Sequence, residues 1–239
     1  MLLLGGCGGT THVKTTLFIL LDETSSFVSS PTIQGVGESG KASPDQMWKN
    51  SRDLAAQSIS RLKPGDEVCV IGIDEHGFDD SDVRVRFTPI PKTMYGSLST
   101  KKQVYDALES LDVRSTSSGF LEPNGHYKGK PFGTDQMGAL AQAAHFASTS
   151  HATHVKVILF SDMQDTPLTN GISSNPDQFP DDTTFLAMNV VQNGQSDFQT
   201  VENKWIDKLS ILNLHLSKDN FLAPGDSTPE AITSFLKNN

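Results

Sequence analysis

Apolar residues along the chain gather in short runs at 17–21, 67–73, 83–87, 155–160, 185–191 and 214–216, with polar and helix-patterned stretches between them. Most runs are continuously apolar, the pattern of strands covered on both faces of a parallel sheet. The run "VRVRF" at 83–87 alternates instead, which predicts a half-exposed edge strand. None is long enough to span a bilayer.

The clearest helix follows at 43–62, "SPDQMWKNSRDLAAQSISRL". Ser43 is placed as N-cap, Pro44 suits the first helical position, and Gln46 completes a capping box. Met47, Leu54, Ala55, Ile59 and Leu62 then recur at helical spacing, and "KPGDE" ends the helix and leads into the next strand. Further helices are predicted at 101–111, 135–148, 201–212 and 229–236, the last opened by Thr228-Pro229. Strand and helix alternate. That order predicts an α/β fold, Rossmann-like and doubly wound, with a mostly parallel sheet, one antiparallel edge strand and helices on both faces. Sites in such sheets collect at the carboxyl ends of the strands. Two stretches, 25–42 and 164–183, are rich in Ser, Gly, Pro, Asn and Asp and read as surface loops. No internal repeat or composition shift marks a second domain.

Charge narrows the function. With 19 basic against 28 acidic residues the chain carries net charge −9, which repels nucleic-acid backbones, and no basic run is long enough to reverse that. The two cysteines, Cys7 and Cys69, form no disulfide framework; Cys69 lies in the apolar run "EVCVIGI" as a small buried thiol. Near the start, Leu4-Gly5-Gly6-Cys7 resembles the lipobox at which bacterial lipoproteins are cleaved and acylated on cysteine. Three leucines precede it with no Lys or Arg, so residues 1–12 read as a truncated lipoprotein signal or tether, and 13–239 as a single domain.

The chemistry lies at the strand ends. The run 17–21 enters Asp22-Glu23-Thr24-Ser25-Ser26, and alternate residues leaving a strand point the same way, so Asp22, Thr24 and Ser26 can converge. All three are hard oxygen donors of the kind magnesium takes. A site with few carboxylates leaves the metal net positive, and a carboxylate from another protein is an obvious further ligand. Two later stretches supply matching groups: "FGTDQMGALAQAA", with Thr134 just ahead of a helix, and "VKVILFSDMQD", a strand ending at Asp162.

This pattern, Asp22-x-Thr24-x-Ser26, then Gly133-Thr134, then Asp162, resembles the von Willebrand factor A domain, in which the five positions form the metal-ion-dependent adhesion site. The resemblance runs from Leu17 to Leu236 in element order. It implies that Asp22 acts mostly through water, that Thr24 and Ser26 coordinate directly, that Thr134 joins in some states, and that Asp162 contributes through an intervening water. It also implies Mg2+ or Mn2+ and a protein partner offering Asp or Glu. The chain departs from the family pattern at Thr24, where serine is commoner, and at Met163, where the family favours glycine. Its loop after Phe27 is also long for the family.

Other readings compete. "GVGESGKA" at 35–42 approaches a phosphate-binding loop, but Ala42 stands where a magnesium-binding hydroxyl is required and no strand runs directly into Gly35. Asp22 could serve as nucleophile of a haloacid-dehalogenase-like phosphatase, with Asp162 and Asp165 on magnesium, but Thr24 occupies the place of its second acid. His145, His151 and His154 lack the spacing of a zinc motif. Each group at the proposed site also has a plain structural role open to it, with Thr134 as N-cap and Asp162 as a turn acid. The favoured reading is a non-enzymatic, metal-dependent protein-binding domain, lipid-anchored at a bacterial envelope if Cys7 is acylated and otherwise cytoplasmic.

Overall fold

The computed structural model describes residues 14–23, 27, 44–74, 83–109, 120–121, 127–128, 134–150, 154–164, 175–191 and 197–237. In chain order the elements are β1 (Thr15–Asp22), α1 (Pro44–Arg61), β2 (Glu67–Ile73), β3 (Val83–Pro89), α2 (Met94–Glu109), β4 (Phe120–Leu121), β5 (Tyr127–Lys128), α3 (Gln136–Thr149), β6 (His154–Phe160), β7 (Thr184–Met188), α4 (Phe198–Ile211), a 3-10 turn (Lys218–Asn220) and α5 (Pro229–Lys237). The main sheet has the order β3-β2-β1-β6-β7, and β4 and β5 form a separate short hairpin.

β1 sits at the centre, parallel to β2 on one side and to β6 on the other. Its residues 17–21 are all fully buried because both faces are covered. Phe18 and Leu20 face a layer built by α3 and α4, including Leu140, Val201 and Trp205. Leu17, Ile19 and Leu21 face α1, α2 and α5 through Leu54, Ile59, Val104 and Ile232. A continuous apolar run is thus split by the two-residue period of the strand between two cores. Each such side chain contributes about 1.5–3 kcal/mol of burial. β7 extends the parallel sheet beyond β6, while β3 closes the other edge antiparallel to β2. The sheet is therefore mixed, mostly parallel and covered by helices on both faces, as the sequence predicts.

Three boundaries differ from expectation. α2 begins at Met94, not 101, with the Thr93 hydroxyl accepting from the Gly96 amide at 3.2 Å. The apolar residues of its first turns face solvent, so the buried periodicity that marks a helix is lacking there. β7 stops at Met188 because Asn189 turns into the left-handed region at φ 62°. The run 214–216 is no strand. Asn213 at φ 61° ends α4, its amide donating to Ser210 and that of Leu214 to Leu209. These are the two bonds of a Schellman motif, and buried Leu209 and Leu214 make its apolar pair. The contact that extends the sheet beyond β7 comes instead from Phe221, bridged to Ala187.

Cys69 on β2 is fully buried, and that burial pushes its thiol from 9.0 up to about 12. The unfolded thiol ionises first, so this group's stabilisation is present below pH 9 and is lost as pH rises towards 12. Denaturant titrations of wild type should lose up to about 1.4 kcal/mol per pH unit across that window relative to Cys69→Ala. Equal slopes for the two proteins would contradict the assignment.

Candidate metal centre

β1 and β6 end side by side, with Leu21 opposite Phe160, so Asp22 and Ser161 continue the register off the sheet and Asp162 follows. On the other flank Asp22 lies opposite Ile73, the last residue of β2. α3 starts over this same edge, the Asp135 amide donating to the Asp74 carbonyl at 2.7 Å. Asp22 and Asp162 are fully buried and Thr134 is 1% exposed. Three stretches, the first more than a hundred residues from the other two, thereby meet at one pole. Thr24, Ser26 and Cys7 lie outside the described residues, as do 35–42, Asp165 and His151.

A short hydroxyl network fixes Asp22. The Ser161 hydroxyl accepts from the Met163 amide at 2.9 Å and from Gln136 Nε2 at 2.5 Å. With both acceptor positions used, its proton goes to Asp22 Oδ2 at 2.6 Å. Gln136 Nε2 also approaches Asp22 Oδ2 at 3.5 Å and the Gln164 carbonyl at 3.3 Å, joining α3 to both strand ends. A hydrogen bond to a carboxylate is among the stronger kinds, so one rotamer of Asp22 is favoured.

The plain structural roles divide. Thr134 does not cap α3; Asp135 does, its Oδ1 accepting from the Gly138 amide at 2.8 Å. Asp162 does tie a turn, its Oδ1 accepting from the Gln164 amide at 2.9 Å. Inside that turn Met163 adopts φ 57°, the left-handed backbone for which glycine is best suited. Methionine takes here a conformation that glycine would adopt freely, at a cost of about 1–2 kcal/mol. Its side chain is fully buried and its carbonyl accepts from Trp205 Nε1 at 3.0 Å, both offsetting the strain.

Sequence reasoning missed four contributors: Ser161, Gln136, Glu23 and Arg84. Glu23 follows Asp22 and is also buried, its carboxylate gripped by Arg84 of the edge strand through Nε at 3.3 Å and a terminal nitrogen at 3.0 Å. The Glu23 amide donates to the Ile73 carbonyl at 3.0 Å. Gly72 lies directly beneath, where any Cβ would overlap the Glu23 carboxylate. The sequence signals were the alternating arginines of "VRVRF" and a glycine interrupting an apolar strand.

The donors suit a hard divalent cation: two buried carboxylates and a buried hydroxyl, all oxygen, with two further hydroxyls in the adjoining loop by sequence. Among the described residues no group of three His, Cys, Asp or Glu side chains is placed to hold a metal ion. The zinc reading fails on placement, because His145 contacts Asp177 at 2.7 Å and His154 contacts Asp182 at 3.0 Å, two separate surface pairs.

No family model matches the chain, and no curated protein matches it. Solved structures do. Proximal thread matrix protein 1 from the mussel byssus is 13% identical at TM-score 0.51, over 94% of this chain and 46% of that one. The PilB minor pilin of Streptococcus sanguinis, in a mutant form, is 9% identical at TM-score 0.51, over 96% and 61%. An aerotolerance-related membrane protein from Bacteroides fragilis is 13% identical at TM-score 0.51, over 93% and 97%. This chain thus spans about half to three-fifths of the first two proteins and nearly all of the third.

Two substitutions test the site's framework without metal. Ser161→Ala removes the donor to Asp22 and should lower stability by about 1–3 kcal/mol in denaturant titration. Gly72→Ala should cost a similar amount, about 1–3 kcal/mol, by displacing the buried Glu23–Arg84 pair. A neutral result for either would mean that the pole relaxes freely.

The fold of this chain, shared with those three solved structures, is the doubly wound α/β arrangement with a mostly parallel sheet and one antiparallel edge strand that the sequence predicts.

Proposed function

We propose that the chain is a metal-dependent protein-binding domain acting in adhesion or scaffolding, and that it is not an enzyme. The observation that carries this reading is the meeting of buried Asp22, Thr134 and Asp162 at the carboxyl edge of the sheet. Asp22, Thr134 and Asp162, with Thr24 and Ser26 of the loop after β1, would hold Mg2+ or Mn2+. A bound cation of this kind supplies a positive, oxygen-seeking centre. Ser161 and Gln136 orient Asp22 by hydrogen bonds, and Arg84 through Glu23 anchors the start of the loop. A partner's Asp or Glu carboxylate completes the site, and the loops at 27–42 and 164–183 supply surrounding contacts.

The setting proposed is the bacterial envelope, with lipid on Cys7. The likeness to a minor pilin supports display at a cell surface. No helix among the described residues is long and apolar enough to cross a membrane.

Calorimetry of the EDTA-stripped chain should register binding of magnesium and manganese, weakened about tenfold or more in Thr134→Ala. Absence of binding by wild type would overturn the metal reading. The Cys7 peptide from cell membranes should carry the added mass of acyl chains, and an unmodified peptide would remove the anchor.

A further inference from the structure

A chain of net charge −9 contains a stretch, 83–105, with five basic residues and no acid. Both arginines are engaged on the fold, Arg84 with Glu23 and Arg86 over the Phe146 ring at 4.5 Å. The lysines belong to α2 and its approach. Lys92 and Lys102 are exposed, the latter also meeting Asp106 at 2.8 Å, while Lys101 reaches the carbonyls of Ser60 and Leu62.

Between these lysines α2 turns apolar side chains to solvent. Met94 is 81% exposed, Tyr95 85% and Leu98 61%. Tyr95, Leu98 and Lys102 stand three and four residues apart and share one helix face, while Val104 and Leu108 bury the opposite one. Exposed Met, Tyr and Leu bordered by lysine is the composition of a surface that enters a headgroup region.

Its place in the fold identifies what it meets. Pro89 at the end of β3 pairs with Glu67 at the start of β2, and Glu67 pairs with Thr16 at the start of β1. Asp66 joins the same elements, its side chain accepting from the Thr15 amide at 3.1 Å and its carbonyl from the Ile90 amide at 2.8 Å. α2 therefore starts where the chain enters the domain, at the pole opposite the metal centre. Cys7 is seven residues before Lys14. Fully extended, that leash reaches only about 25 Å.

We propose that the first two turns of α2, with Met94, Tyr95, Leu98, Lys92 and Lys102, form a membrane-contact face that seats the tethered domain on an anionic bilayer with its metal pole outward. The inference rests on lipid attachment at Cys7 for its setting. The lysines are drawn to anionic headgroups, while the three apolar side chains enter the interface. A short leash makes that encounter intramolecular, so a patch too small to bind alone becomes effective.

The test uses the full chain coupled through the Cys7 thiol to maleimide-bearing lipid in vesicles, which makes the outcome independent of acylation in cells and of metal binding. Cys69, buried with its thiol pushed up to about 12, should not compete. Tyr95→Trp places a reporter on the patch, and Trp48 and Trp205 are buried. On vesicles of brominated phosphatidylcholine and phosphatidylglycerol the variant should be quenched beyond wild type, less so without phosphatidylglycerol or at high salt. In the coupled chain, adding Leu98→Ser should shift the balance between seated and free domain about tenfold towards free, read as loss of the added quenching, the effect of withdrawing one aliphatic side chain. Quenching of the coupled chain no greater than wild type would overturn the proposal. So would a concentration-dependent emission shift without vesicles, which would assign the face to a second copy.

Discussion

Charge that must be buried at the carboxyl edge of the parallel sheet is the constraint on which the rest of the structure depends. Asp22, Glu23, Asp74, Asp135 and Asp162 all lie at this pole, and each is at most 5% exposed. An uncompensated buried carboxylate costs several kcal/mol. The fold compensates with groups from every neighbouring element. Ser161 donates to Asp22, Arg84 grips Glu23, the Gly138 amide serves Asp135 and the Gln164 amide serves Asp162. The antiparallel edge strand thereby gains a purpose beyond closing the sheet, since it delivers the arginine.

The same pole carries backbone strain. Met163 stays in the left-handed region where glycine would be easier, and its carbonyl is tied to Trp205 of α4. The Asp162 turn is thus joined to the core under α3 and α4. The Glu23 turn is joined to the edge of the sheet on the other flank. A site held from both sides has little freedom to rearrange, which suits the fixed oxygen donors of the proposed metal centre.

The two ends of the sheet differ in character. The carboxyl ends collect acids and hydroxyls, and the amino ends collect the entry of the chain, the start of α2 and the exposed lysines. Parallel strands force this separation, because every parallel strand enters at one end and leaves at the other. The proposed tether and the proposed binding site fall at opposite poles for that reason.

The sequence by itself determined the alternation of strands and helices, the limits of β2, the edge position of β3 and the acids and hydroxyls at the strand ends. Each is written in local signals: continuous apolar runs, one alternating run, a proline at the first turn of α1 and polar residues where a run stops. The start of α2 was illegible because its exposed apolar turns break the rule that apolar means buried. The run 214–216 misled because Leu214 serves a helix end, not a strand. Only the tertiary structure decided that Asp135, not Thr134, caps α3, and that Ser161 and Gln136 orient Asp22. Only it paired Glu23 with Arg84 over Gly72. The Ser161, Gln136 and Glu23 contacts join residues 25 to 139 positions apart. No local pattern encodes them; strand order and register bring their partners within reach.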